Sequence, residues 1–244
     1  MEETTNNVVT RRNMLKTTAL VGAAAAAGFA GIFGNGSTAF AAHNKNDSVQ
    51  TIIDLAATAE LLAVTTYYTA LTAGSLGLSS AERRFLTAAL DSELTHYETL
   101  VSLGAKPAAT AFFTVDNMFS NRLTFVGVLD TAETLFIGAY VAASRRFAEL
   151  GNPNLAAVAT QTAVVEGQHH ALIRQMNPDL LPNNNSYAQP IFYNVSDVVP
   201  SATPFLAGGA GFSGPTTAPN SDTVRALVGS GGTRKVPLMG FGAW

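Results

Sequence analysis

Two Glu-x-x-His strings occur in the sequence, Glu93 to His96 and Glu166 to His169. On an α-helix, a spacing of three residues puts both side chains on one face, about 5 to 6 Å apart at Cβ. A carboxylate and an imidazole at that separation can bind one divalent metal ion. A single string of this kind is weak evidence, so the prediction depends on how the two strings are related.

The two strings belong to an internal repeat. The offset that carries Glu93 to Glu166 also carries His96 to His169, Glu60 to Glu133 and Tyr67 to Tyr140. The same offset aligns "TAELLAVTTYY", from Thr58, with "TAETLFIGAYV", from Thr131. Each half therefore supplies one glutamate on its first helix and one Glu-x-x-His string on its second. A repeat can also preserve core packing and nothing more.

The charge of the repeated residues favours metal binding over packing alone. Seven glutamates follow residue 41, and four of them fall on the repeat inside apolar segments. Burying four unpaired carboxylates would be severely unfavourable. Two divalent cations would neutralise four carboxylates, so the pattern predicts a di-metal site. A hydrogen-bonded network without metal is the alternative.

Four more side chains lie near this pattern. Tyr67 and Tyr140 each follow a glutamate of the repeat by seven residues, which returns them to the same helix face about 10 Å away. They are either hydrogen-bond donors or redox-active phenols beside the ligands, or ordinary interior tyrosines. Asp130 is either a residue that orients an imidazole or a solvated aspartate, and the alanine at the equivalent repeat position favours the second. His170 points about 100° from the preceding histidine, which predicts a place at a helix interface or on the surface.

Four helices are required to position these residues, and the sequence predicts all four. Their predicted spans are 48–74, 79–104, 117 or 121 to 151, and 152–177. Capping residues mark the starts: Ser48, Ser79 with Glu82, Asn117 or Asn121, and Asn152 with Pro153. Two short turns and a long connection at 104–116 predict an all-α four-helix bundle with one long crossover.

The ligand pattern over four helices resembles the ferritin-like di-iron or di-manganese carboxylate proteins. Their scheme is Glu, Glu-x-x-His, Glu, Glu-x-x-His, and it covers residues 48–176 here. The resemblance implies that Glu60 and His96 serve one ion, that Glu133 and His169 serve the other, and that Glu93 and Glu166 bridge both. Carboxylate oxygens with one imidazole per ion suit two iron or manganese ions, although affinity alone would also accept zinc.

The N-terminal segment, residues 1–41, resembles a twin-arginine export signal. "TRRNMLK" precedes an alanine- and glycine-rich run, and "AFA" ends at residue 41. Four glycines dilute the apolar run, so a cleaved signal is favoured over an uncleaved membrane anchor. The resemblance predicts export by the twin-arginine pathway to the periplasm or cell envelope, with no stable membrane anchor after cleavage.

The amino-acid composition excludes several other kinds of site and partner. The absence of cysteine excludes disulfides and thiolate metal sites. A net charge of -3 gives no basic surface for nucleic acid. Residues 177–244 are rich in Pro, Gly, Ser and Asn, with short apolar patches. This irregular C-terminal tail is predicted to pack on the bundle or to contact another subunit in a homo-oligomer; disorder is the alternative.

Three functions fit these features. The first is an oxidoreductase that activates O2 or peroxide, as a ferroxidase or a peroxide-detoxifying protein. The second, implied by similarity to bacterial relatives of desiccation-related proteins, is a non-catalytic stress protein of the envelope that uses the metal site structurally. Iron storage is the third and weakest, because sparse charge gives no sign of a mineral-nucleating interior.

Overall fold

Four long helices form a bundle in the computed structural model, which describes residues 47–233 and 235–239. They are α1 (Val49–Ala73), α2 (Ser80–Ser102), α3 (Arg122–Glu149) and α4 (Pro153–Gln175). Helix α1 packs on α2, and α3 packs on α4. The starts of α1 and α4 and the ends of α2 and α3 line one shared cavity, so the crossover makes α2 and α3 run in the same direction. The signal predicted for residues 1–41 lies outside the described residues.

The predicted caps account for where the helices begin and end. At the start of each helix, a side-chain oxygen of the capping residue accepts a hydrogen bond from a backbone N–H of the first turn. The capping residues are Ser48, Ser79, Asn121 and Asn152. The capping box of Ser79 and Glu82 is present. Asn121, rather than Asn117, begins α3. Glycines with φ of 72°, 94° and 70° follow the ends of α1, α2 and α3, where the left-handed backbone favours glycine.

Helices α1 and α3 are long and apolar enough to cross a membrane by length and composition alone. Core helices of soluble proteins pass the same test, because a helix inside a bundle is apolar over much of its surface. Both helices carry a buried glutamate, Glu60 and Glu133, near the middle. Their apolar character is therefore explained by the bundle core.

A two-stranded antiparallel sheet joins the crossover to the tail, which the sequence did not predict. Strand β1 (Ala111–Val115) lies between α2 and α3, and β2 (Phe212–Thr217) lies in the tail. The pairing runs from Ala111 opposite Thr217 to Val115 opposite Phe212, with one irregularity. Phe112 of β1 is fully buried, so the sheet also packs the crossover against the rest of the chain.

The tail forms short elements that pack on the bundle. It contains the helices α5 (Val199–Ala207) and α6 (Ser221–Val228), and α6 contacts α2. Gly138, inside α3, is where Ile191 of the tail approaches: a Cβ at this position would lie 2.4 Å from an Ile191 side-chain carbon. The Arg145 guanidinium lies 3.8 Å from the centroid of the Tyr193 ring. These contacts hold the tail along α3 and α2.

Candidate metal centre

The six residues predicted as metal ligands lie near the middle of the four bundle helices. Helices α1 and α3 contribute one glutamate each, while α2 and α4 contribute a glutamate and a histidine each. The four glutamates are at most 1% exposed: Glu60, Glu93, Glu133 and Glu166. The histidine side chains are slightly more exposed, 14% for His96 and 6% for His169. The periodicity that buries the apolar face of each helix thus also buries these polar groups.

The six side chains form two overlapping groups. One contains Glu60 and His96, and the other contains Glu133 and His169. The second glutamates of both halves, Glu93 and Glu166, belong to both groups. Within each group, one donor atom per residue lies within 4.8 Å of all the others. The grouping is the division that the resemblance implied, but the role of each residue as a ligand stays a prediction.

The donor atoms converge without satisfying one another. Nδ1 of His96 lies 3.4 Å from Glu60 Oε2 and 3.2 Å from Glu166 Oε1. Nδ1 of His169 lies 2.8 Å from Glu93 Oε1. These distances are short, but the hydrogen-bond angles are poor, so several buried donor atoms of the described residues have no hydrogen-bond partner. Among them are His96 Nδ1, both Glu93 oxygens and one oxygen each of Glu60, Glu133 and Glu166. Unsatisfied buried donor atoms facing one space are suited to a cation.

The electrostatics show why the cluster requires positive charge. Burial raises the pKa of Glu60 well above its usual range, against the opposing effect of His96. Burial also raises the pKa of Glu133, and neighbouring carboxylates add to the rise. Burial acts in the same direction on Glu93, but the positive charge of the nearby His169 is the largest of the effects that outweigh it and lower its pKa. Both imidazole pKa values are raised because the surrounding carboxylates outweigh burial. Two divalent cations would balance four ionised carboxylates with neutral imidazoles.

Both repeated tyrosines contact the cluster, each on the opposite half of the repeat. The Tyr67 hydroxyl on α1 donates to Glu133 on α3, and the Tyr140 hydroxyl on α3 donates to Glu60 on α1. Burial raises the pKa of both phenols, so they are neutral donors. The seven-residue spacing predicted proximity to the same helix's glutamate and missed this cross-pairing, because spacing along one helix gives no information about the facing helix.

Asp130 and His170 lie outside the ligand cluster and pair with each other. His170 Nε2 lies 2.8 Å from Asp130 Oδ1, and Arg174 donates to the same oxygen at 3.0 Å. The prediction of a solvated aspartate is therefore wrong: Asp130 is half-buried between α3 and α4 and bound to two side chains of α4. His170 lies at a helix interface, which was one of its two predicted places. Sequence reasoning also missed Ser92, whose Oγ lies 3.5 Å from His96 Nε2.

Comparison with known protein families agrees with this geometry. The family described as a ferritin-like domain matches residues 48–178, which include all four bundle helices and all six clustered side chains. The chain belongs to the ferritin-like domain family. Neither a curated protein nor a solved structure matches it. This ferritin-like protein therefore combines the family's all-α bundle with a buried Glu/His cluster that is suited to metal ions.

Proposed function

We propose that this ferritin-like protein binds two iron or manganese ions and acts as an oxidoreductase that activates O2 or peroxide. The observation that carries the proposal is the pair Glu93 and Glu166, which belongs to both donor groups. Glu93 and Glu166 would therefore help to hold both ions, and two redox-active ions held close together can exchange two electrons with one substrate. A redox-active ion pair of this kind supplies electron exchange with O2, with peroxide or with ferrous iron as substrate.

The chain's own residues orient and shield this centre. Tyr67 and Tyr140 each donate to one oxygen of the glutamate that faces them. The other oxygen, on Glu133 and on Glu60, has no hydrogen-bond partner and remains available. Hydrogen bonds to ligating carboxylates fix their orientation and tune metal affinity. Near-complete burial of all four glutamates excludes bulk water, which strengthens every charge interaction inside the cluster.

Export to the periplasm or cell envelope is part of the proposal. It is supported by the arginine pair and the small-residue cleavage motif of residues 1–41. The twin-arginine pathway exports proteins that are already folded. Such export suits this protein, because its proposed metal ligands come from four helices and are brought together and buried only when the bundle folds. Self-association through the tail is also part of the proposal, and the short apolar patches of residues 177–244 support it.

The second candidate is a non-catalytic stress or desiccation-related protein of the envelope. The observation that favours it is the central position of the cluster, where each bound ion would link at least three helices. Metal binding of this kind contributes directly to folding free energy. The two candidates agree on the metal site and differ on turnover.

Metal analysis and turnover assays test both candidates. Protein purified from its native export route should contain about two equivalents of iron or manganese and should turn over peroxide, or Fe(II) with O2. Glu93→Ala should lose both metal and turnover. Glu98→Ala is the matched control, because Glu98 lies on the same helix but its side chain is 38% exposed and pairs with Arg225. Bound metal without turnover would favour the non-catalytic candidate, and a stable metal-free native protein would contradict both.

A further inference from the structure

An apolar cavity adjoins His96. It has a volume of about 90 Å³ and lies at the bundle end where α1 and α4 begin. Its walls are mostly aliphatic and aromatic, with Ile52, Ala143, Phe147 and Leu155 among them. His96 is the histidine with the larger exposed fraction, 14% against 6% for its counterpart. The cavity therefore approaches one edge of the candidate metal centre.

Apart from His96, whose Nδ1 lies among the carboxylates of the cluster, the few polar groups in the cavity wall are already engaged. The hydroxyls of Thr95, Thr99 and Thr162 each donate to the backbone carbonyl four residues earlier, at 2.7, 2.8 and 3.1 Å. The Tyr140 hydroxyl donates to Glu60. A buried water requires two to four polar partners, and cavities that lack them stay dry and accept apolar ligands. The wall chemistry thus favours an apolar occupant over water.

Two wall positions of this cavity carry larger side chains in the other half of the repeat. The repeat offset places Leu86 at the position of Ala159 and Phe125 at the position of Ile52. Leu86 and Phe125 are fully buried. Their equivalents Ala159 and Ile52 are smaller, and both line the cavity beside His96.

Residues 235–239 of the tail cover the outer side of the cavity. Val236 and Leu238 line it. Lys235 is held to α2 through Asp91 at 3.0 Å. On the other side, Gln161 of α4 accepts from the Met239 N–H at 2.9 Å and donates to the carbonyl of residue 237 at 3.3 Å. The segment thus crosses from α2 to α4 over the cavity, with an anchor at each side.

We propose that this cavity is a binding site for small apolar molecules and that residues 235–239 cover its entrance. An apolar cavity of about 150 Å³ accepts benzene or xenon, so a volume of about 90 Å³ favours O2 or a single xenon atom over the larger benzene. Use of the cavity to deliver O2 to the metal centre rests on the proposed function. The binding of an apolar ligand does not, because it requires neither metal nor turnover.

Xenon is the probe for this site. Crystals of the mature full chain, metal-free and zinc-loaded, should show xenon beside Ala143 under pressure. Ala143→Leu should abolish this site by filling it, and Ala148→Leu, at an exposed position on the same helix, should retain it. Ordered water in the cavity, or no xenon in the wild-type crystals, would overturn the proposal. If xenon binds but the iron-loaded and manganese-loaded protein shows no turnover, the proposed function is refuted while the cavity proposal stands.

The rate at which xenon exchanges between the cavity and the solvent tests whether residues 235–239 cover the entrance. Gln161→Ala removes both α4 anchors of the segment, so the exchange rate measured by ¹²⁹Xe NMR should rise by about tenfold. Gln175→Ala, at an exposed position near the end of the same helix, should leave the rate unchanged. An equal rate in Gln161→Ala and the wild type would show that xenon enters elsewhere and would contradict the assignment of 235–239 as the cover.

Discussion

Helices α1 and α2 form the first half of the repeat and α3 and α4 the second. The faces that they turn towards the candidate metal centre, called here the inner faces, carry equivalent polar residues. Each half places a glutamate, a Glu-x-x-His string and a tyrosine at the same relative positions. The tyrosines pair reciprocally across the halves, Tyr67 with Glu133 and Tyr140 with Glu60. A substitution on this inner face would leave a buried charged group without its partner.

The outer faces of the two halves differ. Asp91 on α2 accepts hydrogen bonds from Thr233 and Lys235 of the tail, whereas the equivalent position on α4 is Val164, which is 60% exposed. Conversely, Asp130 pairs with His170 and Arg174 only in the second half; its equivalent in the first is Ala57. The inner faces are constrained by a shared cluster of charge, while each outer face is adapted to what packs on it.

Metal removal should produce the largest effect and tests the equivalence of the inner faces. A ligand at 100 times its Kd stabilises a protein by about 2.7 kcal/mol per site, so chelation should lower the free energy of unfolding by about 5 kcal/mol for two sites. Urea denaturation with and without chelator measures it. His96→Ala and His169→Ala should each reduce the chelator effect by about half. A full effect in one variant and none in the other would show that the halves are not equivalent.

Removing one tyrosine hydroxyl tests the reciprocal pairing. Tyr67→Phe and Tyr140→Phe each delete one hydrogen bond to a buried carboxylate, which costs about 1.5 to 3 kcal/mol and lowers metal affinity by about 10- to 100-fold. Thermal denaturation and metal titration measure the two effects, with Tyr187→Phe in the exposed tail as the control. Equal losses are expected, and an effect confined to one tyrosine would contradict the pairing.

The inner face was more predictable from sequence than the outer face, for a physical reason. Helix caps such as Ser79 with Glu82 depend only on neighbouring residues in the sequence. The constant offset between the two halves identifies the six clustered side chains from the sequence directly. The pairing of Ala111 with Thr217 joins short strands that lie far apart in the sequence, and no local pattern encodes it. The side chains that contact Asp130 lie on the next helix. The alanine at the equivalent repeat position gives no information about them, which is why the prediction of a solvated aspartate is wrong. Periodicity locates residues on a face, and only packing of the helices determines what each face meets.

Asp91 tests the outer face of the first half through pH. Burial raises its pKa, but hydrogen bonds from Thr233 and Lys235 outweigh that effect and lower it. Since the folded pKa lies below the unfolded value of about 3.9, the stabilisation is complete above that value and is lost as pH falls through the folded pKa. Asp91→Asn should therefore cost about 1 to 3 kcal/mol at neutral pH and progressively less as the pH falls below the unfolded value of about 3.9. Urea denaturation across pH measures this, and a pH-independent cost would contradict the ionic contact.

The pair of Asp130 and His170 tests the outer face of the second half, with the smallest expected effect. Asp130→Ala removes the partner of His170 and Arg174, but the Asp130 side chain is 27% exposed, so solvent screening limits the loss to about 1 kcal/mol. Metal content should stay unchanged, because His170 is directed to Asp130 and away from the cluster. Asp179→Ala, at an exposed tail position, is the control for denaturation and metal analysis. Loss of metal in Asp130→Ala would show that this pair positions α4, and that the outer faces also support the shared centre.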